Sequence, residues 1–186
     1  MDEHDDWPAW ARQRVEVVAA DPTWARQAAA LATDLQRRLG PWLDGPVEHV
    51  GSTAVPGLAA KPVLDLLAPV TSLADAAAAG DVLAAAGWHL VPPELDGRPW
   101  RRLHVLAEAD RRVAHLHLVA STHPHCRELV RFRDLLRARP DLATEYARIK
   151  RRAAAELGDD REAYTRAKAG FVERHTAAGG PDTAER

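Results

Sequence analysis

The most constraining stretch of this 186-residue chain is Pro62-Val63-Leu64-Asp65-Leu66-Leu67-Ala68-Pro69-Val70. The run is nearly all apolar, too short to cross a membrane, and does not alternate, so it reads as a strand buried on both faces. One carboxylate, Asp65, interrupts it. An unpaired carboxylate inside a sheet is costly, so Asp65 must be paired, bound to a cation or exposed at a strand end. Two roles stay open for it. It can bond loop amides and hold the turn from Gly57 to Lys61, or it can act as a metal ligand or general base.

The rest of the chain supplies partners for this strand. Asp21-Pro22-Thr23 starts a helix from Trp24 to Leu39, in which Trp24, Ala28, Leu31, Leu35 and Leu39 form one stripe, and Gly40-Pro41 ends it. Pro46 to Val50 reads as a short strand that runs into Gly51-Ser52. Thr71 and Ser72 cap an Ala-rich helix to about Ala86, closed by Gly87. Trp88 to Val91 gives a further strand, and residues 100–107 and 112–119 form a hairpin around Glu108-Ala109-Asp110. From Pro124 the pattern is helical, with one helix ending near Arg139-Pro140, a second over about 141–157 and a third over about 161–175. Strands followed by helices, with one βαβ-like passage, imply an α/β (α+β) fold: a mixed sheet with flanking helices and a C-terminal helical segment. Residues 1–14, acidic, and 177–186, small and polar, are expected as mobile tails around a single domain spanning 15–176.

Charge and cysteine content exclude several classes. Lys and Arg total 25 against 27 Asp and Glu, a net charge of −2, so no sustained basic surface suggests nucleic acid. The single cysteine, Cys126, precludes an internal disulfide framework and agrees with a reducing compartment. It has no paired His or Asp motif and reads as structural. The start, MDEHDDWPAW, lacks the basic-then-apolar order of a signal peptide, so the expected location is cytoplasmic, with no membrane partner. Trp7 and Trp10 fit either a partner surface or a mobile tail.

Three constellations carry candidate chemistry. The turn within Glu48-His49-Val50-Gly51-Ser52-Thr53 presents backbone amides and hydroxyls that can cradle a phosphate, although Gly-Ser is also ordinary turn chemistry. His115 and His117 alternate with Leu116 and Leu118 and share one strand face. His49 across the sheet and His104 on the other hairpin arm can reach that face. These imidazoles form either a His/Asp site or separate packing residues. His123 and His125 flank Pro124 and read as surface residues. Tyr146 with Lys150, Tyr164 with Lys168, and Arg133 with Arg137 are each four apart on a helix. They are solvated faces or, if they line a cleft opposite Gly51-Ser52, neutralise phosphate or carboxylate charge. Lys61, on the turn before the Asp65 strand, is a further cation, and Asp134 is placed to orient Arg133.

The unbroken run from Glu48 to Asp65, EHVGSTAVPGLAAKPVLD, closely resembles the signature of the GrpB family. His115-Leu116-His117, Phe132-Arg133-Asp134-Leu135-Leu136-Arg137, and the two Tyr/Lys pairs resemble it too, so the likeness covers roughly residues 15–175. The resemblance implies a nucleotidyltransferase-like fold, whose members carry Gly-Ser after one strand and a carboxylate pair on the next. Similar domains are fused to dephospho-coenzyme A kinases. This chain departs from the pattern at Leu67, where the second carboxylate belongs, and at His115 and His117, on the strand that often supplies a third acid. Asp65 with imidazoles suits Zn²⁺, Mn²⁺ or Fe²⁺ better than Mg²⁺.

The resulting expectation is an enzyme that binds a nucleotide or phosphorylated small molecule between the sheet and the C-terminal helices. The reaction is nucleotidyl transfer or nucleotide-dependent activation of an acid. The candidate catalytic residues are Asp65, His117 and His49. Phosphate binding falls to Gly51, Ser52, Thr53, Lys61, Arg133, Tyr146, Lys150, Tyr164 and Lys168. A divalent metal (Mg²⁺, Mn²⁺ or Zn²⁺) is expected at Asp65, His115 and His117, with ATP or another nucleoside triphosphate. The alternatives are a degenerate small-ligand-binding module and a His/Asp metal enzyme that uses no nucleotide.

Overall fold

The computed structural model of the chain describes residues 8–176. Five strands form one mixed sheet: β1 (Glu48–Val50), β2 (Leu64–Val70), β3 (Trp88–Leu90), β4 (Arg101–Glu108) and β5 (Arg111–Ala120), in the order β1-β2-β5-β4-β3. Only the central β2–β5 pair is parallel, and it sets Asp65 beside His115 and Leu67 beside His117. The helices are α1 (Trp24–Leu39), α2 (Gly80–Ala85), α3 (Pro93–Asp96), α4 (Pro124–Ala138), α5 (Pro140–Leu157) and α6 (Arg161–Thr176).

Side chains alternate across the sheet, so β2 and β5 each serve two cores. Leu64, Leu66, Ala68 and Val70, with Ala114, Leu116 and Leu118, pack against Ala28, Leu35 and Leu39 of α1 and Leu83 of α2. Each fully buried leucine there contributes about 1.5–3 kcal/mol. On the other face Val50, Leu67 and Val119 pack under Cys126, Leu129 and Val130 of α4. A third cluster ties the helical layer to the loop after β1. In it Val55 and Leu58 meet Leu136, Tyr146 and Phe171, with Phe132 against them. The Tyr146 and Phe171 rings stack at 5.1 Å.

Some local expectations are corrected. The Ala-rich segment is a 3-10 turn over Asp75–Ala79 followed by the short α2, not one helix from residue 71 to 86. The Ser72 hydroxyl accepts from the Asp75 amide and starts the turn there, and Gly80, a poor helix former, stands at the junction. Residues 8–14, expected in a mobile tail, are docked: Arg112 of β5 donates to the carbonyls of Trp10 and Ala11, and Trp10 stacks on His89 at 5.9 Å. Residues 1–7 and 177–186, including Trp7, lie outside the described residues. His104 pairs with Leu116 and so lies on the α1 face, away from Asp65. No helix among the described residues is long and apolar enough to cross a membrane.

Candidate active site

Asp65 sits second in β2, opposite Val50, the last residue of β1. The chain then passes over the carboxylate at Gly51, whose φ of 71° favours glycine. A Cβ at Gly51 would lie 2.6 Å from Asp65 Oδ2, so no side chain fits between the turn and the acid. The phosphate-cradle candidate and the candidate acid are therefore one site. Asp65 keeps 21% of its side chain exposed.

Two imidazoles from β5 reach the same carboxylate oxygen. His115 Nδ1 lies 3.0 Å and His117 Nε2 3.5 Å from Asp65 Oδ1. Burial alone would raise the Asp65 carboxyl, but the charge of Lys61 and the bonds to both histidines hold it well below the usual range. Burial, reinforced by Lys61, drives His115 down to about 4, and burial with the Arg101 charge also lowers His117. The centre is thus a carboxylate flanked by two neutral imidazoles.

Cations from three elements surround it. Lys150 of α5 is buried and donates to the Ala59 carbonyl at 2.6 Å, lying 4.8 Å from the Tyr146 ring centroid. Lys168 of α6 lies 4.2 Å from the Tyr164 centroid. Burial raises the Tyr146 phenol, and the nearby Ser52 hydroxyl opposes that rise. Lys150 and Lys168 are each pulled down to about 7, first by burial, then by Lys168 on Lys150 and by Lys61 on Lys168, while Asp65 opposes the shift on both. Contacts and electrostatic interactions thereby link Gly51, Ser52, Lys61, Asp65, His115, His117, Tyr146, Lys150, Tyr164 and Lys168 into one cluster around Asp65.

A pH dependence follows. Free lysine titrates near 10.5, so between about pH 7 and pH 10 the unfolded chain binds more protons than the native one. Stability therefore rises with pH across that window, and the full penalty is present below it. Above about pH 10 the tyrosines act in the opposite sense, since burial raises Tyr146 and pushes Tyr164 up to about 12. Urea melts of ligand-free protein are expected to show increasing stability from about pH 7 to 9, with the slope reduced in Lys168→Met. A flat profile would place both lysines in ordinary solvent.

Other expected site residues fall elsewhere. His49 pairs in register with Leu66, so its side chain belongs to the opposite face, and its Nε2 lies 2.9 Å from the buried Thr53 hydroxyl. Burial takes this imidazole down to about 4. The Thr53 hydroxyl is engaged by His49, and the Asp65 charge opposes the downward shift of that imidazole. Arg133 is likewise engaged outside the Asp65 cluster. Its guanidinium bonds Glu48, the His49 carbonyl and both oxygens of Asp134, which makes it a tether between α4 and β1. Leu67 is fully buried under α4.

Two residues of the site escape sequence reading. Arg101 shares the face of Leu103 and Val105, and its Nη1 lies 2.8 Å from His117 Nδ1, while Asp96 of α3 accepts from its Nε and Nη2. The signal available was parity: a charged residue on the inward face of an otherwise apolar strand end.

Ligand atoms of Asp65, His115 and His117 all lie within 4.8 Å of one another, the spacing a divalent ion needs. Their outer contacts do not fit one. A ligating histidine almost always donates its far N–H to an acceptor. Here the far nitrogen of His117 meets a guanidinium, and His115 Nε2 is buried with no hydrogen-bond partner among the described residues.

The chain as a whole is similar to known proteins. A family model described as GrpB protein matches residues 14–178. The chain is 36% identical over 186 residues to the UPF0157 protein PA4798 of Pseudomonas aeruginosa, covering 90% of this chain and 69% of that one. It is 30% identical over 159 residues to the UPF0157 protein YqkA of Bacillus subtilis, covering 86% of this chain but 45% of that protein. A protein named dephospho-CoA kinase from Mycolicibacterium paratuberculosis is 32% identical over 181 residues, 85% of this chain and 44% of its own length. The crystal structure of GrpB from Enterococcus faecalis superposes with a TM-score of 0.76 at 27% identity, covering 87% of this chain and 94% of that one.

Proposed function

The chain belongs to the GrpB family, and from that premise we propose that its Asp65 cleft binds the phosphates of a nucleotide or phosphorylated small molecule and catalyses nucleotidyl transfer or nucleotide-dependent activation of an acid. The observation that carries the reading is the Gly51 turn pressed against the Asp65 carboxylate, whose charge is felt by Lys61, by Lys150 anchored on the Ala59 carbonyl, and by Lys168. Cations held in a poorly hydrated cleft gain most from a multiply charged anion, which restores the solvation they lost. Relatives named dephospho-CoA kinase support nucleotide chemistry, although this chain matches less than half their length.

In this reading the turn amides and lysines hold the phosphates, and Asp65 aligns the attacking oxygen. That oxygen bonds to phosphorus as the bond to the leaving pyrophosphate breaks, and its proton passes to the Asp65 carboxylate and from there to solvent. Positioning and charge neutralisation supply most of the acceleration in such transfers. A second reading, a divalent ion at Asp65, His115 and His117, is favoured by their mutual spacing and opposed by their outer contacts.

The test is a thermal shift with ATP, with and without MgCl₂, on untagged protein. At about 100 times its Kd a ligand stabilises the native state by about 2.7 kcal/mol, roughly 5–11 °C for a chain of this size. The shift is expected with wild type and lost in Lys150→Met, while Asp65→Asn keeps binding but loses pyrophosphate release. No shift with ATP, coenzyme A precursors or inorganic phosphate would sink the proposal. A shift that survives with no transfer activity would leave a binding module.

A further inference from the structure

Arg101 and Asp96 form a clamp behind His117. Arg101 Nε lies 2.8 Å from one Asp96 carboxylate oxygen and Nη2 2.5 Å from the other, while Nη1 lies 2.8 Å from His117 Nδ1. The pair is almost enclosed, with 11% of the Arg101 side chain and 4% of the Asp96 side chain exposed. Trp100 adds a further restraint, its ring centroid 5.3 Å from the guanidinium carbon.

A guanidinium has donors only, so the imidazole nitrogen it meets must accept. That leaves the ring proton on Nε2, the nitrogen aimed at Asp65 Oδ1. A divalent ion at the same Nε2 would need its lone pair and would move the proton to Nδ1, setting two N–H groups against each other at 2.8 Å. Relief would require Arg101 to shift away from His117 and loosen its two bonds to Asp96, leaving that nearly buried carboxylate to the longer 3.4 Å contact with Arg98.

We infer that Arg101, clamped by Asp96, fixes His117 as its Nε2–H tautomer and keeps the Asp65 centre a metal-free hydrogen-bonding pair. Arg101 is a positioning residue that acts through His117. The role of that N–H toward a bound phosphate rests on the function proposed above, but the tautomer does not. With Nε2–H fixed, His117 donates to Asp65 or to an oxygen developing charge beside it, and Asp65 remains an ionised acceptor.

The experiment reads the tautomer and metal uptake directly, on full-length untagged protein without nucleotide. Nitrogen-15 spectra of wild type are expected to show His117 Nε2 protonated and Nδ1 unprotonated. Arg101→Lys, which retains a donor, keeps that pattern. Arg101→Met shifts the proton toward Nδ1 and tightens Zn²⁺ binding in calorimetry by about 10- to 100-fold, the range typical of contacts behind a metal ligand. That gain disappears in Arg101→Met/His117→Gln. A wild-type His117 protonated on Nδ1, or wild-type protein binding Zn²⁺ through His117 as tightly as Arg101→Met, overturns the inference. The wild-type spectrum decides the matter even if the variants fail to fold. Because no readout involves nucleotide, failure here is distinct from failure of ATP to bind.

Discussion

Replacing Gly51 with alanine is expected to destabilise the protein by about 3 kcal/mol, lowering its melting temperature by roughly 6–12 °C. Two independent costs combine. The backbone at Gly51 has φ 71° and ψ −167°, a region essentially confined to glycine, where another residue costs about 1–3 kcal/mol. The new Cβ would also lie 2.6 Å from Asp65 Oδ2 and 3.0 Å from Asp65 Cβ. Pushing that carboxylate aside breaks its bonds to His115 and His117, so the loss reaches the site as well as the fold. Gly57→Ala is the control, since Gly57 has φ 75° but a Cβ there would meet nothing within 4 Å. Calorimetric scans of both variants separate backbone strain from contact, and equal losses would mean that the turn does not press on Asp65.

Leu67→Asp, which would restore the second carboxylate of the nucleotidyltransferase pattern, is expected to destabilise the protein severely rather than build a metal site. Leu67 is fully buried against Val50, Val119 and Cys126. Losing its burial costs about 1.5–3 kcal/mol and burying an unpaired polar group about 1–3 kcal/mol more. The sum approaches half the stability of an ordinary domain. Urea denaturation with and without MgCl₂ checks this. Recovery of wild-type stability by Mg²⁺ would show that the cleft reaches position 67 after all.

How much of this was legible before the fold was known varies residue by residue. Asp65 stood out because a carboxylate inside an apolar strand demands a partner, and the partners are now identified as His115, His117 and the lysine cluster. His115 and His117 could be placed on one face because strand parity is local. His49 could not, because its face depends on the β1–β2 register, which no local pattern fixes. Arg133 presented the same four-residue spacing as the lysines, yet its helix packs over β1, where Glu48 and a carbonyl take its charge. The helix boundaries from Trp24 to Leu39 and from Pro124 onward followed from stripes and prolines, whereas Ala76 to Ala79 offered no stripe to distinguish a 3-10 turn from a helix.

The parallel pairing of β2 with β5 also governs when the cleft can come into being. Asp65 and His115 are 50 positions apart, and Lys150 reaches the Ala59 carbonyl across 91. Parallel neighbours so distant in sequence close late, after the costly loop between them is ordered. During synthesis the β1 turn and β2 emerge first and must wait, with an apolar strand edge uncovered, for β5 and then for α5 and α6. A chain cut after β5 therefore retains the carboxylate and both imidazoles but loses Lys150, Lys168 and the cover they provide.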